Sequence, residues 1–243
     1  YKHNDMEDLE RVLGQLPRES AKLIVSDGVF SATGDIVNLP GVAALAKPHN
    51  ARIMIDDAHA VGVIGLGGRG TASHFNLIDK TDLTMGTFSK TFASLGGFVV
   101  SDHKVINYLK HHSSALIFSA SPTPASTASA LASLEILKAE PERIGKLRSN
   151  ARKMREGFKH LGFRVLEGET AVVPIIVGDD MLALKLTMEL FHAGVFVNAF
   201  IRPSCPPGMQ MIRTSYMATH EDSPLDQALE IFAKVGKEFG LIG

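Results

Sequence analysis

Short apolar runs alternate along the first half of the chain with stretches whose apolar residues recur every three or four positions. Lys22-Leu-Ile-Val-Ser, Arg52-Ile-Met-Ile-Asp, Asp82-Leu-Thr-Met-Gly-Thr and Gly97-Phe-Val-Val read as strands, with Leu39 to Lys47 and Lys104 to His111 as the helical stretches. Brief apolar strands separated by helices predict a mostly parallel sheet with helices on both faces, so the fold class is α/β. Beyond Pro122 and Pro124 the helical period takes over. Ile144, Leu147, Ala151, Met154, Phe158 and Leu161 lie on one helical face, and Gly162 follows as a stop. The remainder reads as strand (Val172 to Val177), helix (Met181 to His192), strand (Val195 to Val197), strand (Met211 to Ser215) and a terminal helix. Ser223-Pro-Leu-Asp opens that helix, with Ser as N-cap, Pro at the first helical position and an acid three residues on. The pattern divides the chain into an α/β domain at residues 1–135 and a smaller α+β domain at 136–243, joined through a long helix near 124–160.

Composition narrows the classes of partner. Across 243 residues, 25 Lys and Arg oppose 26 Asp and Glu for a net charge of −1, so no global field attracts nucleic acid or an anionic membrane. Cys205 is the only cysteine, which excludes an intrachain disulfide and fits a reducing cytoplasm. With no apolar run of about 20 residues and no signal-like start, the expectation is a soluble protein without stable membrane insertion. The chain opens on a helix-like segment with no earlier strand, which suggests a truncated parent.

The residues able to do chemistry follow the strands. Asp56, Asp57 and His59 stand just past one of them, where open α/β sheets bind ligands. A metal site, a capped strand end and a cofactor site are all open readings, although these three residues do not make a full coordination shell of recognisable spacing. Thr87-Phe-Ser89-Lys90 follows the next strand. A lysine at the end of a buried strand is desolvated and can form a Schiff base with an aldehyde, and the two hydroxyls suit phosphate oxygens. An acid, a histidine, hydroxyls and an amine together are the inventory that pyridoxal phosphate (PLP) requires. Gly65-Leu-Gly-Gly-Arg-Gly70 matches a dinucleotide fingerprint letter for letter but lies too far from its strand, and reads better as a turn needing positive φ. Arg213, in an apolar strand, and Arg202, before Pro203, are either carboxylate clamps or structural ion pairs.

Asp27-Gly-Val-Phe-Ser31-Ala-Thr-Gly-Asp35, Asp56-Asp-Ala-His59, Gly65 to Gly70, Gly86-Thr-Phe-Ser-Lys90 and Arg213-Thr-Ser-Tyr-Met-Ala-Thr-His220 resemble, in order and spacing, the α-oxoamine synthases. These are PLP enzymes of the aspartate-aminotransferase fold that join an amino acid to an acyl-CoA, most with loss of carbon dioxide. The resemblance implies that residues 1–135 are the C-terminal part of the PLP-binding large domain. It implies that Lys90 holds the cofactor aldehyde, Asp56 the pyridine nitrogen, and His59 with Ser31 the phenolic oxygen. Thr87 and Ser89 would serve the phosphate, Ser119 the phosphate of a neighbouring subunit in a homodimer with a shared site, and Arg213 the substrate carboxylate, with Arg202 as competitor. Gly86 to Gly97 and Ala115-Leu-Ile-Phe-Ser-Ala-Ser look most like bacterial serine palmitoyltransferases. The implied reaction is therefore L-serine with palmitoyl-CoA, giving a 3-ketosphinganine. The alternatives are 8-amino-7-oxononanoate synthesis, glycine C-acetyl transfer, and a non-catalytic fragment or partner subunit. The family's N-terminal part has no counterpart here, so weak or no PLP binding is expected of the chain alone.

Overall fold

In the computed structural model, which describes all 243 residues, the chain forms two compact units. One comprises Tyr1–Val29 with Ile36–Pro141, the other Phe30–Asp35 with Glu142–Gly243. In the first, helix α1 (Met6–Gly14) precedes β1 (Lys22–Asp27), α2 (Leu39–Ala46), β2 (Ala51–Asp56), α3 (Thr71–His74), β3 (Leu83–Thr87) and β4 (Gly97–Ser101). Helices α4 (His103–His112), α5 (Ser114–Ile117) and α6 (Pro124–Ala139) complete it. The sheet order is β1-β2-β3-β4, parallel except for the antiparallel β4. Mostly parallel pairing follows from helical crossovers, and the α/β class is as the alternation predicts. Ile24, Ile53 and Ile55 turn inward with Leu39 and Val42 of α2. On the opposite face Leu23 and Val25 are 51% and 52% exposed, so helical cover of both faces does not extend to β1.

The second unit contains α7 (Glu142–His160), β5 (Val172–Ile176), α8 (Asp180–His192), β6 (Asn198–Phe200), β7 (Met211–Ser215) and α9 (Asp222–Glu238). Its antiparallel sheet, ordered β5-β7-β6, packs a core with Ala151, Met154 and Phe158 of α7, Leu186 and Leu190 of α8, and Phe232 and Val235 of α9. The stripe read along α7 is thus its buried face. Phe30–Asp35 belongs to this unit because Thr170 Oγ1 donates to Gly34 O at 2.6 Å and Arg213 Nε to Ser31 O at 2.6 Å. The buried Arg155 in turn donates to the carbonyls of Thr170 and Val172 at 3.0 and 3.2 Å.

Three local expectations are corrected. The single helix over 124–160 is two helices, because Pro141 has no N–H and drives Glu140 to φ −125°, ψ 61°. The strand expected at Val195 to Val197 forms at Asn198–Phe200: Val197 is used in the core, and pairing with β7 begins only at Asn198. Helix α9 starts at Asp222 with Glu221 in the cap position and no side-chain cap, which leaves Ser223 and Pro224 in its first turn, where a missing N–H costs nothing. Gly162, at φ +95°, ends the turn after α7 as expected.

Candidate active site

Strands β1 to β3 run in register, with Asp27 opposite Asp56 and Asp56 opposite Met85, so their carboxyl ends share one edge. Asp56 is half-buried there, and its Oδ1 accepts the Ala58 amide at 2.9 Å. This turn fixes the carboxylate through one oxygen and leaves the other without a hydrogen bond in the chain. Asp57 is 1% exposed, with Oδ2 accepting the Thr71 amide at 2.9 Å. Two glycines make room for it: a Cβ on Gly28 would lie 2.1 Å from Asp57 Oδ1 and from Thr71 Oγ1, and one on Gly70 would lie 2.1 Å from Oδ2. Burial pushes the Asp57 carboxyl above the ordinary carboxylate range, against hydrogen bonding from Thr71 that pulls it down. The adjacent acids therefore have different environments, one open to a ligand and one locked inside. His59 is half-buried in the turn that follows.

The Gly65 to Gly70 segment turns back on itself. Gly70 N donates to Ile64 O and Gly62 N to Gly68 O, and Gly65, Gly67, Gly68 and Gly70 all have positive φ, between 59° and 88°. No strand feeds directly into it, so it is a turn and not a phosphate loop at a strand–helix junction.

Thr87 ends β3, with Oγ1 donating to Gly96 O at 3.1 Å and accepting the Ser89 amide at 3.2 Å. The two hydroxyl oxygens are 2.8 Å apart. Lys90 is exposed, contrary to the desolvation expected at the end of a buried strand. The reason is local: β3 stops at Thr87, and the loop from Phe88 to Gly96 closes through Phe88 N to Gly96 O and Ser94 N to Phe88 O, carrying the lysine outward. Ser119, just past α5, spends its hydroxyl proton on Ala115 O one turn back.

In the second unit Arg213 lies in β7 between Pro174 of β5 and Asn198 of β6. It is half-buried, its Nε held by Ser31 O and its guanidinium carbon 5.8 Å from the centre of the Phe200 ring. No carboxylate pairs with it, and burial alone lowers its pKa. Ser31 meets Arg213 through its carbonyl, not its hydroxyl. The structural ion pair belongs instead to Arg202, whose Nε and Nη2 lie 2.7 and 2.5 Å from Asp180 Oδ2, and whose amide donates to Oδ1 at 3.1 Å. That bonding raises the Arg202 pKa and lowers that of Asp180. Sequence reasoning missed Asn150, which is buried and donates to Met217 O and His220 O, both at 2.9 Å, fixing the loop after Arg213. The available signal was a polar residue inside the apolar stripe of α7. Within the first unit, Asp56 and Thr87 end β2 and β3, and His59, Ser89 and Lys90 follow them; within the second, Ser31 and Arg213 are joined and Arg202 is engaged elsewhere.

Residues 1–232 match the family described as aminotransferase class I and II. The chain is 49% identical over 238 residues to the serine palmitoyltransferase of Sphingobacterium spiritivorum, covering 98% of this chain and 60% of that protein. It is 43% identical over 246 residues to the 8-amino-7-oxononanoate synthase of Symbiobacterium thermophilum, covering 100% and 62% respectively. Among solved structures, serine palmitoyltransferase from S. paucimobilis with a bound PLP–myriocin aldimine matches with a TM-score of 0.96 at 36% identity, over 100% of this chain and 61% of that one. The chain thus spans about three fifths of the length of the curated relatives it matches. A chain with this sheet, this order of side chains and these relatives belongs to the aminotransferase class I and II family, in its α-oxoamine synthase branch.

Proposed function

We propose that the protein to which this chain contributes is a PLP-dependent acyltransferase. It condenses L-serine with a long-chain acyl-CoA, palmitoyl-CoA, releasing CoA and carbon dioxide and forming a 3-ketosphinganine. The observation that carries this reading is Arg213: a half-buried guanidinium with no carboxylate of its own, in a chain that also sets Asp56 and Lys90 after adjoining strand ends. Four relatives named serine palmitoyltransferase, 44–49% identical across 98–100% of the chain, support the choice of serine and a long acyl chain.

The donor set fits the cofactor. Asp56 keeps one unbonded carboxylate oxygen for a protonated pyridine nitrogen, Thr87 and Ser89 offer hydroxyls to phosphate oxygens, and His59 serves the phenolic oxygen. Bound there, PLP supplies an electron sink for the charge left at the substrate Cα. Lys90, an amine with no ion pair, would hold the cofactor aldehyde, and its Nζ would take the proton from the substrate Cα. Arg213 orients the substrate through its carboxylate with the two terminal nitrogens that Ser31 leaves open.

We infer a homodimer as well. Leu116, Ile117 and Phe118, at 55%, 50% and 87% exposure, form an apolar run beside Ser119, which suits burial against a second copy where Ser119 serves the neighbouring phosphate. No helix is long and apolar enough to cross a membrane. The single cysteine, Cys205, fits the reducing cytoplasm in which we propose that the reaction runs. The relatives named 8-amino-7-oxononanoate synthase, 38–43% identical, support L-alanine with a pimeloyl thioester as a second reading. That substrate ends in a carboxylate and needs a cation at the far end of its channel.

The test offers the full-length protein serine with palmitoyl-CoA and alanine with pimeloyl-CoA, and identifies products by mass spectrometry, alongside visible spectra of wild type and Lys90→Ala. Ketosphinganine from wild type, and loss of the visible band in the variant, are expected. A product from alanine alone selects the second reading, and an unchanged band in Lys90→Ala overturns both.

A further inference from the structure

Each of the four residues after Lys90 is tied to another part of its unit. Thr91 Oγ1 donates to Val61 O at 2.8 Å, and Ser94 Oγ donates to Ser126 O at 2.6 Å. Between them, Phe92 O accepts from Ser133 Oγ at 3.0 Å and Ala93 O from Ser129 Oγ at 3.3 Å. Ser126, Ser129 and Ser133 are spaced by three and four residues, so they share one face of α6. Serine is a poor helix former and its hydroxyl adds nothing to an apolar core, which leaves the loop carbonyls as the physical use of Ser129 and Ser133, whereas Ser126 takes part through its backbone carbonyl. The conformation they hold is not a relaxed one: Ala93 stands at φ +48°, in the left-handed region that a Cβ disfavours. Phe92, 5% exposed, anchors the same stretch from inside.

We propose that Ser129 and Ser133 are positioning residues for Lys90, holding the Phe92 and Ala93 carbonyls so that the lysine leaves the loop in one fixed direction. Neither touches the reacting atoms. An exposed four-carbon side chain has many rotamers, and a fixed base is what limits where its amine can reach. The proposal rests on Lys90 being the lysine that holds the cofactor aldehyde.

The experiment compares wild type, the Ser129→Ala/Ser133→Ala double variant and the Ser129→Thr/Ser133→Thr variant, each full length. Amide hydrogen exchange across residues 90–95 is measured without cofactor, with thermal melting and steady-state kinetics alongside. Loss of two hydroxyl donors is expected to speed exchange in this segment about tenfold and to lower kcat by a similar factor, with the serine KM within about twofold. The Thr variant, which keeps both hydroxyls, restores both. Unchanged exchange around Lys90, or faster exchange with unchanged kcat, overturns the proposal, as does exchange that rises throughout the unit with a lower melting temperature. Local loosening together with a visible band that survives Lys90→Ala also overturns it, and shows that the fault lies in the role given to Lys90 rather than in the tethers.

Discussion

Arg213→Ala should weaken serine binding at a limited cost to the fold, because this guanidinium has no carboxylate partner to leave stranded and only the Ser31 carbonyl loses a donor. Its bonds in the chain are one from Nε to Ser31 O and a contact with the Phe200 ring. The terminal nitrogens remain for the substrate, and a charge-assisted hydrogen bond contributes about 1.5–3 kcal/mol, so the serine Kd should rise about ten- to a hundredfold. Arg213→Lys keeps the charge but cannot hold Ser31 O and a carboxylate through one planar fork, so it should fall between the two. The comparison is Arg202→Ala, which breaks a solvent-screened pair with Asp180 and should shift serine binding less than about threefold. The assay is a serine titration of each full-length variant followed by the cofactor's visible band. Normal serine binding in Arg213→Ala with a tenfold loss in Arg202→Ala would refute the reasoning and move the clamp to Arg202.

Three other outcomes follow from packing. Gly28→Ala puts a Cβ 2.1 Å from Asp57 Oδ1 and Thr71 Oγ1, so denaturant unfolding should show a loss of about 1–3 kcal/mol or no folding at all. Asn150→Ala leaves the Met217 and His220 carbonyls without their donor and should cost about 1–3 kcal/mol by the same measurement. Asp57 has a folded pKa raised by burial, so the native state binds its proton more tightly than the unfolded chain, and this group's contribution to stability declines as pH rises from the ordinary carboxylate value through the raised one. Asp57→Asn, whose amide oxygen can still accept from Thr71 N, should remove that decline and be at least as stable as wild type at pH 7; melting curves across pH 4–8 that remain parallel for the two proteins would contradict this.

Periodicity and turn chemistry made much of the architecture legible. Strand β7 falls on the residues read as Met211 to Ser215, and the face of α7 carrying Met154 and Phe158 is the buried one. The glycine turn has the positive φ angles its composition calls for. These features depend on residues within a few positions of one another, which a linear pattern contains. Pro141 was equally visible, and the apolar stripe from Ile144 to Leu161 lies wholly beyond it, yet the helical reading from residue 124 ran through the proline.

What the chain's order of residues could not decide is which of two like groups meets which partner. Asp56 and Asp57 are identical neighbours, and only Gly28 and Gly70, distant in sequence from each other, hollow out the space that buries the second. Arg202 and Arg213 each read from local sequence as a clamp or a structural ion pair, and only the fold brings Asp180 of α8 to the former and a carbonyl of Phe30–Asp35 to the latter. Lys90 was expected to be desolvated by its strand, and the way its loop closes leaves it exposed instead. Local hydrogen bonding and apolar spacing specify elements, whereas the charge state, exposure and pairing of a functional side chain depend on whatever folding brings within a few ångströms of it, and that is settled only by the tertiary structure.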